Sequence, residues 1–450
     1  MSQGSILKRT NKRKSWRLKW ELPRGEDGKR RCEYKTFYGS KADARAALRE
    51  ILGQLDKKTY VERSRMTLTE WLEKWLRDDG RSRSAKTYER YAELLRLHVI
   101  PRIGTMKLQE VEPSDIKRVY TEMQYPLSPT NGDKPRRALS AQTALHTHRA
   151  LSLALRSAVE DASLLAVNPA AKIKKKDRPK PVKELVVVLP AEKLTGLLAA
   201  MKHEESQPGY DAVEWPMYPI SALAAGTGMR LGELLAMRLC DVDLNAKRIT
   251  VSRSVEATKE HGLRIKPPKT NKPRTVPIPE QLVLIVRAVV SSLCDYWRQA
   301  GINLESPQEA LLFPASRHEP FVPVAPVLAS QRFVMRCRRY GVHGFSFHGL
   351  RHTHATLLIE RGINVKVVSE RLGHSKIGIT MDTYAHVLPD MQAEAADVSG
   401  DILSSLDAAG TTGYKRQLES RIVEVVPQQV VDLTKRRVGR AVECGGLENR

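Results

Sequence analysis

Residues 347–387 read FHGLRHTHATLLIERGINVKVVSERLGHSKIGITMDTYAHV, and the spacing of polar against apolar positions in this stretch orders the rest of the chain. A helix is expected from about His348, because Leu350, His354, Leu357 and Leu358 fall at i, i+4, i+7 and i+8 and make one packing stripe. His348 and Arg351 stand three apart on a different face, turned toward a cleft. His354 reads as a packing histidine and His352 as a neighbour that props the pair. Asn364 is a fitting N-cap for VKVVSERL, with Val365, Val368 and Leu372 facing inward, and Gly373 ends that helix as a left-handed cap. His374 therefore leaves at a fixed exit. Tyr384 follows on a short helix expected to begin near Thr380. Taken singly these residues are ordinary: a tyrosine at such spacing is most often half-buried core, and a structural role suits His348 as well as a chemical one.

Upstream, GTGMRLGE (226–233) places an arginine after two glycines that allow a tight turn and leave little bulk around it. Arg230 and Glu233 stand three apart on one expected helix, close enough for the carboxylate to steady the guanidinium. An exposed ion pair worth under ~1 kcal/mol has the same spacing.

The chain has 450 residues, enough for two to four domains, and a formal net charge of +24. So basic a protein seeks a polyanion, and nucleic acid is the leading candidate. No apolar run is long enough to span a membrane, and the start MSQGSILKRTNKRKSW lacks the apolar centre of a signal peptide. The scattered cysteines Cys32, Cys240, Cys294, Cys337 and Cys444 form no CxxC pair and fit a reducing cytoplasm.

Residues 1–62 read as a separate module. Strands are expected at Trp16–Trp20 and Arg31–Phe37, followed by a helix that Ser40 caps, a small basic sheet able to lie in a DNA groove. Residues 65–170 read as a helical bundle, with stretches opening at Thr67, Ser84 (to His98), Pro113 and Ser140 (to about Leu164), their aromatics in the core. Residues 171–184 are basic, rich in proline and without periodicity, as in a linker crossing a phosphate backbone. Residues 185–397 are mixed. Helices are expected from Pro190, over Pro219–Ala225, from Met229, and near Glu280, Ala329 and Gly349, with strands at Ile249–Val255 and Leu263–Pro279. The tail 398–450 holds a strand-like run at Ile422–Val426 and the basic Lys435-Arg436-Arg437; its order stays open. The fold class is multidomain, mainly α with small β-sheets (α+β).

The set GTGMRLGELLAMRLCDVDL, HGLRHTHATLL and LGHSKIGITMDTYAHV resembles the signature of tyrosine recombinases, in particular integrases of phages and integrative elements. The resemblance is specific over about residues 185–395. It extends less specifically to residues 65–170 as the core-site-binding domain and to residues 1–62 as the arm-site-binding domain. It implies Arg230, His348, Arg351, His374 and Tyr384 as catalytic residues, Tyr384 being the nucleophile, with Glu233 in support. It also implies Lys269, in PPKTNKPRTVPIP (267–279), as the mobile-strand lysine, preferred to Lys272 by the form Pro-Lys-Thr followed by Arg-Thr-Val-Pro. His374 stands where some members carry tryptophan. Gly349 stands where many carry an acidic residue, which loosens the support of His348 without removing a catalytic group.

The chemistry suits these residue types. A phenol is ionised to only about 0.1% at neutral pH, and neighbouring guanidiniums favour the phenolate. Attack on phosphorus would expel a 5′-hydroxyl and leave a 3′-phosphotyrosyl bond, splitting one hard step into two reversible ones. The resemblance makes Arg230, Arg351 and His374 binders of the non-bridging oxygens, Lys269 the general acid and His348 the base. There is no GxxxxGK[ST] loop and no compelling carboxylate cluster for paired Mg²⁺, so neither cofactor nor metal is expected. The expected partners are double-stranded attachment-site DNA, further copies of the chain as a tetramer on it, and possible DNA-bending or directionality proteins, in a bacterial host's cytoplasm. Three other readings stand beside this one. A type IB-like topoisomerase shares the chemistry, a non-catalytic DNA-binding regulator needs no phenol, and a zinc hydrolase would use the His348 and His352 spacing, though Gly349 takes the place of the glutamate in HExxH.

Overall fold

The computed structural model describes residues 4–8, 15–22, 30–57, 60–126, 137–182, 187–207, 216–268, 272–384 and 396–404. Lys269, Ile422–Val426 and Lys435–Arg437 lie outside them. The chain divides into two compact units, Met1–Leu185 with Glu256–Arg264, and Val186–Val255 with Ile265–Arg450.

The first unit opens with an antiparallel sheet of β1 (Gly4–Lys8), β2 (Ser15–Leu22) and β3 (Arg31–Tyr38), β2 in the middle. The period-two pattern of β2 buries Leu18, Trp20 and Leu22, which cluster with Ala44 and Leu48 of helix α1 (Lys41–Asp56). Ser40 caps α1 and closes a capping box with Asp43. Thr67 and Glu70 do the same for α2 (Leu68–Asp78), whose Trp71, Leu72, Trp75 and Leu76 are buried.

The helix expected over Ser84–His98 is not one regular helix. Helix α3 (Ala85–Leu94) widens into a π turn over Leu95–Val99 and resumes as α4 (Ile100–Ile103). Pro101 has no N–H to donate and its ring would crowd the carbonyl four residues back, which a wider turn relieves. Helices α5 (Pro113–Gln124) and α6 (Ala141–Glu160) complete the bundle, α6 ending four residues short of Leu164. On α6 the fully buried Ala150, Ala154 and Ala158 recur every fourth residue and let α2 approach, so that Trp71 Nε1 donates to the Ala154 carbonyl at 3.0 Å. The basic stretch after the bundle is partly anchored to it: Ile173 is buried in its core, and Lys117 pairs with Asp177 at 3.0 Å.

In the second unit, helix α8 (Met217–Thr227) is buried on nearly every side and is contacted by α7 (Ala191–Glu205), α10 (Glu280–Gln299), α11 (Pro326–Arg339) and α12 (Phe347–Glu360). Between α8 and α10 the chain forms the short helix α9 (Leu231–Leu235) and strands β4 (Val242–Asp243), β5 (Arg248–Val251), β6 (Ser254–Thr258), β7 (Gly262–Lys266) and β8 (Arg274–Pro277). Strands β4, β5 and β8 make one antiparallel sheet, with Ile249, Val251 and Val276 turned to the core. Strands β6 and β7 pair separately, so the two strand regions expected from sequence are broken into shorter pieces. Strands β9 (Pro314–Ser316) and β10 (Glu319–Pro323) form a hairpin before α11, and α13 (Val365–Leu372) and α14 (Ile377–Tyr384) follow α12. The fold is mainly α with small antiparallel sheets. No helix among the described residues is long and apolar enough to cross a membrane.

Candidate active site

Helix α8 runs to Thr227, two residues beyond the apolar stretch expected to close it, and stops at Gly228, which has φ +68°. Only glycine fits there, since a Cβ would stand 2.6 Å from Leu372 Cδ2 and 2.7 Å from His354 Cδ2. The tight turn makes Arg230 the N-cap of α9, not a member of the helix as its spacing suggested, while Glu233 is the third helical residue. The Glu233 carboxylate accepts the Arg230 backbone N–H at 3.0 Å and Arg230 Nη1 at 2.9 Å. It also accepts Arg274 Nη2 at 2.6 Å and Nη1 at 3.1 Å. Glu233 is 3% exposed, so this is no surface ion pair: one buried carboxylate holds two guanidiniums. Burial works to raise its pKa, but hydrogen bonds and charge from Arg274 and Arg230 outweigh that and hold it below the ordinary carboxylate value.

Two arginines then tie α13 to this turn. Arg230 Nη2 donates to the Gly373 carbonyl at 3.2 Å, and Arg274 Nε donates to the Arg371 carbonyl at 3.2 Å. As the sequence predicts, Asn364 caps α13 and Gly373 ends it with φ +68°. Arg371 donates to the Gly226 carbonyl at 2.9 Å and to His354 Nε2 at 3.1 Å. That leaves His354 Nδ1–H to donate to the Ala225 carbonyl at 2.7 Å, so His354 is a satisfied packing histidine.

Helix α12 starts at Phe347 with Ser346 as its cap. Arg351 is 3% exposed, and its Nη1 donates to the Gly228 carbonyl at 2.7 Å. Its Nη2 is buried with no hydrogen-bond partner among the described residues. Burial, then the nearby charge of Arg230, lowers its pKa to about 9. Gly349 has a steric cause: a Cβ there would stand 2.5 Å from Cε2 of the Phe345 ring, which fills the space an acidic side chain would need.

Tyr384 ends α14, which begins at Ile377, three residues before the start expected from sequence. The phenol is 2% exposed and packs with Ala355, Ile359, Val368 and Leu372. Its hydroxyl lies 2.8 Å from His352 Nδ1, and burial raises its pKa to about 12, against the opposing charge of Arg351. His348 stacks edge to face on His352 with ring centroids 4.7 Å apart and stays exposed on its outer side. Partial burial, with the charges of His352, Arg351 and Arg230, lowers the His348 pKa to about 4. His374 Nδ1 meets the hydroxyl of fully buried Thr380 at 2.7 Å, and burial followed by Arg351 and Arg230 brings its pKa to about 4 as well. Both imidazoles are therefore neutral at pH 7.

The sequence-predicted Arg230, Arg351, His348, His374, Tyr384 and Glu233 thus belong to one linked set of contacts. Lys269 lies outside the described residues, and Lys272 is exposed. Three residues of this contact set were not legible: Arg274, the basic residue that opens β8 and whose partners lie far along the chain, and Arg371 and Thr380, whose partners are remote or cross a turn. His352 was read as a prop, yet it is His352, not His348, that reaches the phenol.

The model of the phage integrase family matches residues 188–391, and that of the phage integrase N-terminal SAM-like domain matches residues 67–124. A tyrosine recombinase XerC-like protein of Caldanaerobacter subterraneus is 28% identical over 407 residues, 87% of this chain and 97% of its own length. The putative prophage phiRv2 integrase of Mycobacterium tuberculosis is 25% identical over 386 residues, 83% of this chain and 89% of its own. Among solved structures, the Tn1549 transposon integrase in complex with circular intermediate DNA shares the fold with a TM-score of 0.59 at 22% identity, covering 73% of this chain and 99% of that one.

Proposed function

The chain belongs to the phage integrase family of tyrosine recombinases, enzymes that cut and rejoin DNA strands at specific sites, and from that premise we propose how its residues divide the work. The topoisomerase and regulator readings are not favoured by the matched family or by these relatives.

Tyr384 is the nucleophile. Its oxygen attacks the scissile phosphorus, the bond to the 5′-oxygen breaks, and a 3′-phosphotyrosyl ester holds the strand until a second 5′-hydroxyl reverses the step. Arg351 and Arg230 bind the non-bridging oxygens as charge builds on them, and His374 donates a further hydrogen bond through Nε2, its Nδ1 being held by Thr380. His348 stands beside them, its ring against that of His352. Lys269 supplies the proton to the leaving 5′-oxygen. Glu233 fixes Arg230 by its paired hydrogen bonds.

The observation that carries this reading is Arg351 Nη2, a buried guanidinium nitrogen with no hydrogen-bond partner among the described residues. Buried polar groups are ordinarily satisfied, and an orphan cation beside a phenol is explained by an anion that arrives with the substrate. In the first unit a cavity of about 700 Å³ lined by Arg149, Arg156, Lys175, Arg178 and Lys180 offers a basic surface for a duplex backbone. Residues 1–62 serve arm sites, 65–170 and 185–397 grip the core site, and 171–184 join them. Four copies assemble on paired duplexes in a bacterial cytoplasm, with DNA-bending or directionality proteins as possible helpers.

The test is covalent mapping. The wild-type protein is mixed with nicked duplexes from a randomised pool, trapped adducts are digested, and the modified residue is identified. Attachment at Tyr384 is expected; attachment at another side chain, or none, overturns the assignment.

A further inference from the structure

We infer that His352 is the catalytic base of the cleavage step, taking the phenolic proton of Tyr384 at Nδ1 as the oxygen attacks phosphorus and returning it when the strand is rejoined. This rests on the reading of Tyr384 as nucleophile and replaces His348 in the role the family resemblance suggested for it.

The geometry is direct. His352 Nδ1 stands 2.8 Å from the Tyr384 hydroxyl, within the reach a proton transfer needs. His348 makes no hydrogen bond to Tyr384 among the described residues; it meets the phenol only through His352, whose ring it touches edge to face. His352 also follows Arg351 in the chain, so the same turn of α12 that binds the phosphate sets the base. The groups around His352 are Arg351 and His348 on its own helix, His374 at the exit of α13 and Tyr384 on α14. Among these described groups none is an anion that would favour the imidazolium. Burial and Arg351 lower its pKa, keeping the ring neutral and Nδ1 free to accept at pH 7.

The need for a base is clear from the same surroundings. With its pKa raised to about 12, the buried phenol is ionised to only about one part in 10⁵ at pH 7. The balance closes within the site. The proton leaves Tyr384 for Nδ1, the phosphorus–tyrosine bond forms as the phosphorus–5′-oxygen bond breaks, and the 5′-oxygen receives a separate proton from the general acid. The resulting imidazolium lies next to the phosphate that Arg351 grips, which stabilises it until the return step.

The experiment measures single-turnover adduct formation against pH, using nicked duplexes captured from a randomised pool by the wild-type protein. His352→Asn retains a polar atom near the place of Nδ1 but cannot carry the proton, and His352→Gln serves as a second variant should that one fold poorly. Both are expected to bind the captured duplex as before and to lose about 10²–10⁴ in cleavage rate. Their rates should climb steadily with pH, whereas the wild type should lose rate only as pH falls below the ordinary histidine value of about 6.5. Adduct at Tyr384 formed at the wild-type rate with an unchanged pH profile in both variants overturns the role of His352 and leaves the nucleophile standing. Absence of any adduct at Tyr384 in the wild type overturns both.

Discussion

The Arg351 guanidinium and the Gly228 carbonyl meet at 2.7 Å, a bond that joins α12 to the left-handed end of α8 and leaves Nη2 of the same side chain buried and unmet. One nitrogen joins the two helices, and on the proposed function the other is left for the substrate's phosphate. A buried donor left unmet costs the folded chain stability.

Arg351→Met should therefore separate stability from activity. The variant loses the bond to the Gly228 carbonyl but also removes a cation desolvated to a pKa of about 9, so its unfolding free energy is expected to stay within about 2 kcal/mol of the wild type. Adduct formation should fall by about 10³–10⁵. Thermal unfolding and single-turnover cleavage check this; a stability loss beyond about 2 kcal/mol contradicts it.

Tyr384→Phe should abolish the adduct while leaving duplex binding intact. The phenyl ring keeps its place among Ala355, Ile359, Val368 and Leu372, and only the bond to His352 is lost, worth about 0.5–1.5 kcal/mol. Gel-shift titration and covalent trapping on one preparation give both readouts.

Glu233→Gln should be more damaging to folding than either. It removes the one anion held between Arg230 and Arg274, leaving two guanidiniums beside an uncharged amide. Breaking such a buried pairing costs about 3–5 kcal/mol. Urea unfolding measures it, and a loss below about 1 kcal/mol would mean the pairing is no stronger than a surface contact.

Acid should weaken the second unit. Burial, and then the charge of Arg371, lowers the His354 pKa to about 4, below its ordinary value near 6.5. Between those values the unfolded chain binds the proton and the folded one resists it, so stability is complete above about pH 6.5 and falls as pH drops toward 4. The loss is on the order of 3 kcal/mol for this side chain. Unfolding curves at pH 7 and pH 5 reveal it, and His354→Gln should flatten the dependence.

Gly349→Ala is expected to destabilise by about 1–3 kcal/mol even though alanine favours helix, because the added methyl meets the Phe345 ring. In a Phe345→Ala background, itself destabilised by the lost ring, the same change should cost less than in the wild type. A gain in Tm from the single change would refute the steric account.

Much of this protein is determined by local pattern. Caps at Ser40, Thr67 and Asn364 and the stop at Gly373 depend on neighbours within a turn or two, so the sequence alone sets them. The single stripe expected on α12 is not found: the helix is buried on most sides, with Leu350 and Leu357 against one core cluster and Leu358 against another. The residue types of the candidate site and their spacing could also be read along the chain, and the structure brings Arg230, Glu233, His348, Arg351, His374 and Tyr384 into one linked set of contacts. What only the tertiary structure decided are contacts between residues far apart in the chain. Arg274 reaches Glu233 and the Arg371 carbonyl, Arg351 leaves one nitrogen unpaired, and His352 rather than His348 faces Tyr384. Hydrogen bonds act within about 3 Å, and no spacing along the chain tells which of two histidines one helical turn apart will fall within that distance of a phenol carried on another helix.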